Sequence, residues 1–304
     1  MNITSSRRAF LGLSAASLAG LALGSRVLGG EPFERPGKPR LRLALAAYSF
    51  RDDFKPGPNG ATAKMDMLKF VDYCADHDCD GAELTSYYFP DGVTDTYLAE
   101  VRRRCHLRGV TVSGTAVGND FCHPLGAKRD SEQASVQDWI RKAAVLGAPH
   151  IRVFAGGAHG QTQAAAKKLC IAALEEAAAT AGRHGIILGI ENHGGIVEEA
   201  DELLDIVKTV NSPWVGINLD TGNFHTDDPY RDLAKCAPYA VNVQFKGKIS
   251  RRGQKGSEPA DFARTFQILR DAHYQGWVAL EYELEEDPWK RVPVLLQQMQ
   301  DQMG

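Results

Sequence analysis

A glutamate, an asparagine and a histidine close the apolar run in Gly-Ile-Glu-Asn-His-Gly-Gly, residues 189–195. Residues two apart on an extended chain share a face, so Glu191 and His193 point the same way. The pattern recurs downstream. The run 215–220 ends on Asp220, the run 241–246 carries Gln244 and Lys246, and the run 278–281 ends on Glu281. Ile190, Leu219, Val243 and Leu280 alternate with these polar groups and would face away from them. Glu191, Asp220, Gln244 and Glu281 can therefore converge. Three carboxylates that close together repel one another unless something compensates. A divalent cation does this, and an oxygen-only donor set suits Mg²⁺, Mn²⁺ or Ca²⁺ better than Zn²⁺. The structural alternative is a network in which single acids pair with Arg152 or Lys246.

Such a site suits removal of a proton beside a carbonyl. Glu191 or Glu281 would move the proton. Lys246 or His193 would donate to the developing oxyanion or to a leaving group. His193 could instead orient Glu191 by a hydrogen bond. Glu83, Arg152 and His123 are further candidates for substrate contact. Glu83 closes Gly-Ala-Glu at 81–83, Arg152 lies in 151–154, and His123 follows the third apolar run. Glu83 reads as a base or as the partner of Arg152. Tyr48, Phe50, Tyr87, Tyr88 and Phe89 form either an aromatic wall for a bound ring or ordinary packing. The basic, glycine-rich run after Lys246 reads as a solvated loop or a lid.

The elements that must carry these residues follow from the alternation of short apolar runs with longer amphipathic ones. Strands are expected near 41–49, 81–86, 110–116, 150–155, 186–192, 215–220, 240–245 and 277–282. Helices are expected near 62–78, 94–108, 132–147, 162–184, 197–210, 228–236, 259–273 and 289–301. Eight such units predict an α/β fold, a (β/α)8 TIM barrel, whose polar strand ends meet at one mouth. An open doubly wound sheet would want a glycine-rich turn after the first strand, and that position reads Tyr-Ser-Phe-Arg-Asp-Asp-Phe at 48–54.

The four strand-end groups, in this order and spacing, resemble the metal set of the xylose isomerase-like TIM barrels, also called sugar phosphate isomerase/epimerases. The resemblance spans roughly 41–300. It implies Glu191, Asp220, Gln244 and Glu281 as ligands of a divalent metal, Mn or Mg, with Lys246 matching a lysine often found two residues after the seventh-strand ligand. Three positions depart from the family pattern: Gln244 stands for the usual His, Asn223 for a His of the ketose 3-epimerases, and Val197 for a Glu of the same enzymes.

Residues 1–30 carry Arg7-Arg8, Phe10-Leu11 and an apolar stretch to Leu23, the pattern of a twin-arginine export signal. This predicts a periplasmic or secreted protein handled by the twin-arginine export machinery. Residues 31–40, rich in proline and charge, read as a linker before a barrel domain at 41–304. Without the first 30 residues the chain keeps 32 Lys and Arg against 38 Asp and Glu, a formal charge of −6. That balance argues against a nucleic-acid partner, and so against an apurinic endonuclease. None of the six cysteines forms a Cys-x-x-Cys pair, so they read as small buried residues. The expected function is an exported, divalent-metal-dependent sugar isomerase or epimerase, acting on a free sugar or keto sugar through an enediolate. The alternatives are a lyase, by β-elimination from a 3-keto-glycoside or by dehydration, and a sugar-binding barrel without turnover.

Overall fold

Eight parallel strands pair side by side until the last meets the first. The computed structural model of the chain describes residues 30–57 and 61–303; the export-signal stretch up to residue 29 lies outside them. The elements run β1 (Arg40–Ala46), α1 (Met67–Asp76), β2 (Gly81–Thr85), α2 (Asp95–Arg108), β3 (Thr111–Ala116), α3 (Ala127–Leu146), β4 (His150–Val153), α4 (Gln163–Arg183) and β5 (Ile187–Glu191). They continue α5 (Ala200–Val210), β6 (Val215–Asp220), α6 (Pro229–Cys236), β7 (Ala240–Phe245), β8 (Lys248–Ile249), β9 (Glu258–Pro259), α7 (Phe262–Asp271), β10 (Gln275–Leu280) and α8 (Pro288–Met303). The barrel closes in the order β1-β10-β7-β6-β5-β4-β3-β2. The seam sets Leu43 opposite Val278 and Leu45 opposite Leu280. This is the (β/α)8 TIM barrel that the alternation predicts. Among the described residues no helix is long and apolar enough to cross a membrane.

Local chemistry marks the helix boundaries. Asp66, Thr94, Thr162, Asp228 and Asp261 each accept a backbone N–H of the first turn with the side chain. The 41–49 expectation divides at Ala46, where β1 gives way to a turn of 3-10 helix. Ser49 in that turn donates to the Leu280 carbonyl and accepts the Tyr282 N–H, tying the first loop to the end of β10. The run after Lys246 holds the short antiparallel pair β8–β9, which the sequence did not announce. All six cysteines are buried free thiols, as their spacing suggested.

Each strand turns one face to the helices and one to the barrel interior. Leu45, Leu84, Ile151, Ile190, Ile217, Val243 and Leu280 are fully buried on the helix side. Inside, Ala44, Ala46, Ala279 and Trp277 form a separate small apolar group. The interior otherwise fills with polar side chains and close backbone approaches. The His150 imidazole packs flat against Gly114, where a Cβ would meet its Cε1 at 1.8 Å. Burial holds this histidine down at about 4, neutral at ordinary pH, with Nδ1 on the Ser113 carbonyl at 3.1 Å. The floor is covered by residues 31–39, which lie against the barrel. Phe33 N–H donates to the Pro238 carbonyl, and the Arg35 guanidinium sits 5.2 Å from both the Phe33 and Tyr274 rings. Gln275 reaches the Pro36 carbonyl at 2.8 Å.

Gly114→Ala forces its methyl into the His150 ring. It should lower the unfolding free energy by about 1–3 kcal/mol, the usual range for an overpacked interior, read from the urea midpoint.

Candidate active site

Glu191 ends β5, Asp220 ends β6, and Glu281 follows β10 by one residue. The barrel twist brings all three to the same mouth, at the carboxyl ends of the strands. Their common neighbour is Lys246, one residue past β7. Its Nζ lies 3.2 Å from Asp220 Oδ2, 3.3 Å from Glu281 Oε2 and 2.5 Å from Glu283 Oε2, and it donates to Asn223 Oδ1 at 3.2 Å. Asn223 also donates to Glu191 Oε1 at 2.9 Å, linking the fifth-strand acid to the lysine. On the other side, Arg152 Nε sits 3.1 Å from Glu191 Oε2.

Beneath this layer lies a second. Gln244 donates to Glu83 Oε1 at 2.6 Å and, more weakly, to Glu281 Oε1 at 3.4 Å. Asn242 donates to Glu83 Oε2 at 2.7 Å and to Asn218 Oδ1 at 2.8 Å. Asn218 returns a bond to Gln244 Oε1 at 2.6 Å. Glu83 therefore takes two amides of β7 as partners, and of its two readings the pairing with Arg152 does not form. The Gln244 amide holds two acids in place with its N–H groups, and its oxygen is taken by Asn218. Amide orientation follows from the hydrogen-bond network, so Gln244 would turn over to offer that oxygen to a cation.

His193 does not orient Glu191; Arg152 and Asn223 do that. The His193 ring is exposed and tilted on the Phe154 ring at 4.5 Å. Partial burial and the nearby Arg152 and Lys246 charges hold it below its ordinary value, so it is neutral at pH 7. Two clefts, of about 290 and 180 Å³, meet at His193 and Gly194, and the smaller is lined by Asn223. His123 sits apart, stacked on His159 at 4.4 Å. The aromatic candidates divide. Phe50 and Phe89 are core, while Tyr48, Tyr87 and Tyr88 group at the mouth with ring separations of 5.8 and 6.4 Å. Tyr87 accepts from Arg152 Nη2 at 2.6 Å.

Three residues were under-read in the sequence. Asn192 is fully buried, and its amide takes both the N–H and the C=O of Asp220 at 2.9 Å. It replaces a ladder pair between β5 and β6 and fixes the backbone beneath the aspartate. Asn218 and Asn242 stand opposite each other in register and complete the lower layer; strand alternation from Asp220 and Gln244 points to both.

The charge balance is uneven. Five carboxylates, Glu83, Glu191, Asp220, Glu281 and Glu283, face two cations, Arg152 and Lys246. Burial, reinforced by the neighbouring acids, raises Glu83 to about 7 against the pull of Gln244 and Asn242. It raises Asp220 to about 7 and Glu281 to about 8 despite Lys246. Glu191 is also raised by burial, with Arg152 and Lys246 opposing. Burial alone would lower Lys246, but Asp220, Glu281 and Glu283 outweigh it and keep the ammonium charged. Asp220 Oδ2 is fully buried with no aligned hydrogen bond. By donor type the residues suit a hard divalent cation: carboxylate oxygens outnumber the cations, and Lys246 Nζ now stands among them, 3.2 Å from Asp220 Oδ2.

A parallel eight-stranded barrel with an acidic mouth defines the class of protein. The description "Xylose isomerase-like TIM barrel" matches residues 71–299, and the chain belongs to that family. No curated protein sequence matches it. Among solved structures it is similar to 3-keto-D-glucoside 4-epimerase YcjR from E. coli, at TM-score 0.68 and 17% identity over 86% of this chain and 100% of that one. It is similar to D-psicose 3-epimerase from Clostridium cellulolyticum H10, solved with D-tagatose, at TM-score 0.66 and 16% identity over 81% and 86%. The IolI protein, solved with a bound zinc atom, gives TM-score 0.66 and 15% identity over 86% and 96%. At these identities the likeness is one of fold.

The raised acids make stability depend on pH. A carboxyl whose folded value lies above its unfolded one keeps a proton in the fold, so its contribution is full below the ordinary carboxylate range and is lost as pH rises through the folded value. For Glu83, Asp220 and Glu281 that window extends from about 4 to about 8. Protein stripped of divalent ions should lose unfolding free energy between about pH 6.5 and 8, the part of that window above the range of His150. Asp220→Asn should flatten that fall in urea titrations across the same interval.

Proposed function

We propose that this protein is an exported, divalent-metal-dependent sugar isomerase or epimerase that works by moving a proton on the carbon beside a carbonyl. The observation that carries the reading is the buried cluster of Glu191, Asp220 and Glu281 around Lys246, on the fold shared with the two epimerases named above. The substrate would be a free sugar or keto sugar, small enough for the clefts at His193. Glu191, Asp220 and Glu281 would hold the metal, Mn or Mg, with Gln244 as a fourth donor once its amide turns. A bound divalent cation would neutralise the surplus charge and polarise neighbouring substrate oxygens.

The chain's own groups supply the rest. Glu281, at about 8, and Glu191 sit where a base is needed, and a value near the working pH suits proton transfer in both directions. Lys246 stays charged and stands ready to donate to a developing oxyanion. Arg152, stacked 3.9 Å over Phe154 and bonded to Tyr87, fixes Glu191 and presents its remaining edge to a hydroxyl or carboxylate. Tyr48, Tyr87 and Tyr88 offer ring faces to a sugar. Glu83, Asn242 and Asn218 lie below and hold the acids in register. The twin-arginine motif supports export through that machinery to the periplasm or beyond.

A second reading, elimination from a 3-keto-glycoside, is favoured by Lys246: an ammonium among the acids can protonate a departing oxygen. Turnover in D2O separates the two. Deuterium in an intact keto sugar at the position beside the carbonyl marks isomerisation or epimerisation; release of the aglycone marks the lyase. Neither product, from any keto sugar or glycoside, would leave a binding barrel. Lys246→Met should lower kcat by about 10²–10⁴-fold in either reaction, the usual range for a general acid, with little change in KM.

Metal content tests the first step. Purified protein should hold about one Mn or Mg per chain, absent from Glu191→Ala and Asp220→Ala, and should melt higher when either ion is added. No bound metal and no thermal shift with any divalent ion would sink the metal-dependent mechanism.

A further inference from the structure

Outside the acidic mouth, three ligating side chains come together on the loops after β3 and β4. Asp120, His123 and His159 place one ligand atom each within 4.8 Å of one another. His159 Nε2 meets Asp120 Oδ2 at 2.7 Å, and the His123 and His159 rings lie nearly parallel, 14° apart, at 4.4 Å. Among the described residues the His123 ring has no hydrogen-bond partner, so a nitrogen lone pair is not committed elsewhere.

The surroundings are built to hold that carboxylate. Asp120 Oδ1 accepts the Cys122 N–H at 2.8 Å, and Oδ2 takes a longer contact from the Gly157 N–H at 3.4 Å. The Asp120 N–H donates to Glu132, which Lys128 holds at 2.6 Å. Gly156, at φ +106°, leaves the space the carboxylate fills: a Cβ there would meet Asp120 Oδ1 at 1.9 Å. Gln161 donates to the Cys122 carbonyl at 3.1 Å and ties the two loops together. Such outer contacts orient a carboxylate for a metal as well as for a histidine.

The geometry points to a second, transition-metal site here, of the zinc class, formed by Asp120, His123 and His159. Two imidazoles and one carboxylate are a borderline donor set, unlike the all-oxygen mouth, and select Zn²⁺ over Mg²⁺ or Mn²⁺. Ligand atoms of a tetrahedral zinc site stand about 3.3 Å apart at bond lengths near 2.0–2.1 Å. The Asp120–His159 pair, at 2.7 Å, would open slightly to admit the ion, and the remaining separations, at most 4.8 Å, would close on it. Three protein ligands leave a fourth position for water. Asp120 lines the larger cleft that also touches His193, so the ion would clamp two mouth loops and stand at the rim of the entry.

Zn²⁺ titration of the full chain against a chromophoric chelator tests this, in an Asp220→Asn background that removes the mouth acid. About one equivalent should bind, and His123→Ala or His159→Ala should abolish it. Asp120→Asn, which keeps the shape and covers the case of a misfolded truncation, should weaken it by at least about tenfold. Co²⁺ in place of Zn²⁺ should give visible bands of a four- or five-coordinate ion that vanish in the same variants. Zinc binding unchanged by both histidine variants, or no binding in the Asp220→Asn background, would overturn the site, since the Asp120–His159 hydrogen bond alone would then explain the cluster. Loss of binding at the mouth only would refute the proposed metal there and leave this site standing.

Discussion

Surplus negative charge buried at one end of a barrel is the constraint the rest of this molecule answers. Isolated carboxylates do not stay ionised away from water. Here five of them share two side-chain cations, and burial, reinforced by that imbalance, pushes three of them into the neutral range. Lys246 and Arg152 divide the work by geometry. The lysine is a compact point charge and reaches three acids at once. The planar guanidinium takes one acid, one phenol and one ring face. Exchanging them would satisfy neither set of contacts.

The interior below explains how such a layer can be supported. An ordinary barrel core is filled by branched apolar side chains in stacked layers. This one has alanines, one tryptophan and a histidine at the lower levels, then a layer of amides and Glu83 directly under the acids. The lower polar layer closes through Glu83: Asn242 donates to Asn218, Asn218 donates to Gln244, and Gln244 and Asn242 both donate to the Glu83 carboxylate. Stability comes instead from the shell between strands and helices, where the large apolar residues are buried. The division lets the interior be polar without emptying the core.

The strand order and the end-of-strand acids could be read from the sequence because both rest on period-two alternation and chain order. Glu191, Asp220 and Glu281 meet as the alternation says. What could not be read was which partner each polar group chooses. The pairing of Arg152 with Glu191 rather than Glu83 depends on the twist that sets β4 beside β5 and raises Gln244 between β2 and β10. Asn192 escaped because the strand ends at Glu191, and past that point alternation no longer holds. His159 lies in a loop whose path depends on how Gly156 and Asp120 fit together, which no periodic pattern encodes. The orientation of Glu191 falls to Asn223, 32 residues on in sequence, and not to the nearby His193.

The covered floor has a consequence for how the molecule presents itself. Phe33, Arg35 and Pro36 lie across the amino-terminal ends of the strands, and Gly30 packs beside Lys208 at the end of α5. Gly30 thus lies on the face opposite the acidic mouth. A partner seated on residues 30–39 would therefore stand behind the barrel, with the opening turned away from it. It could carry bulk without standing in the path of a small solute.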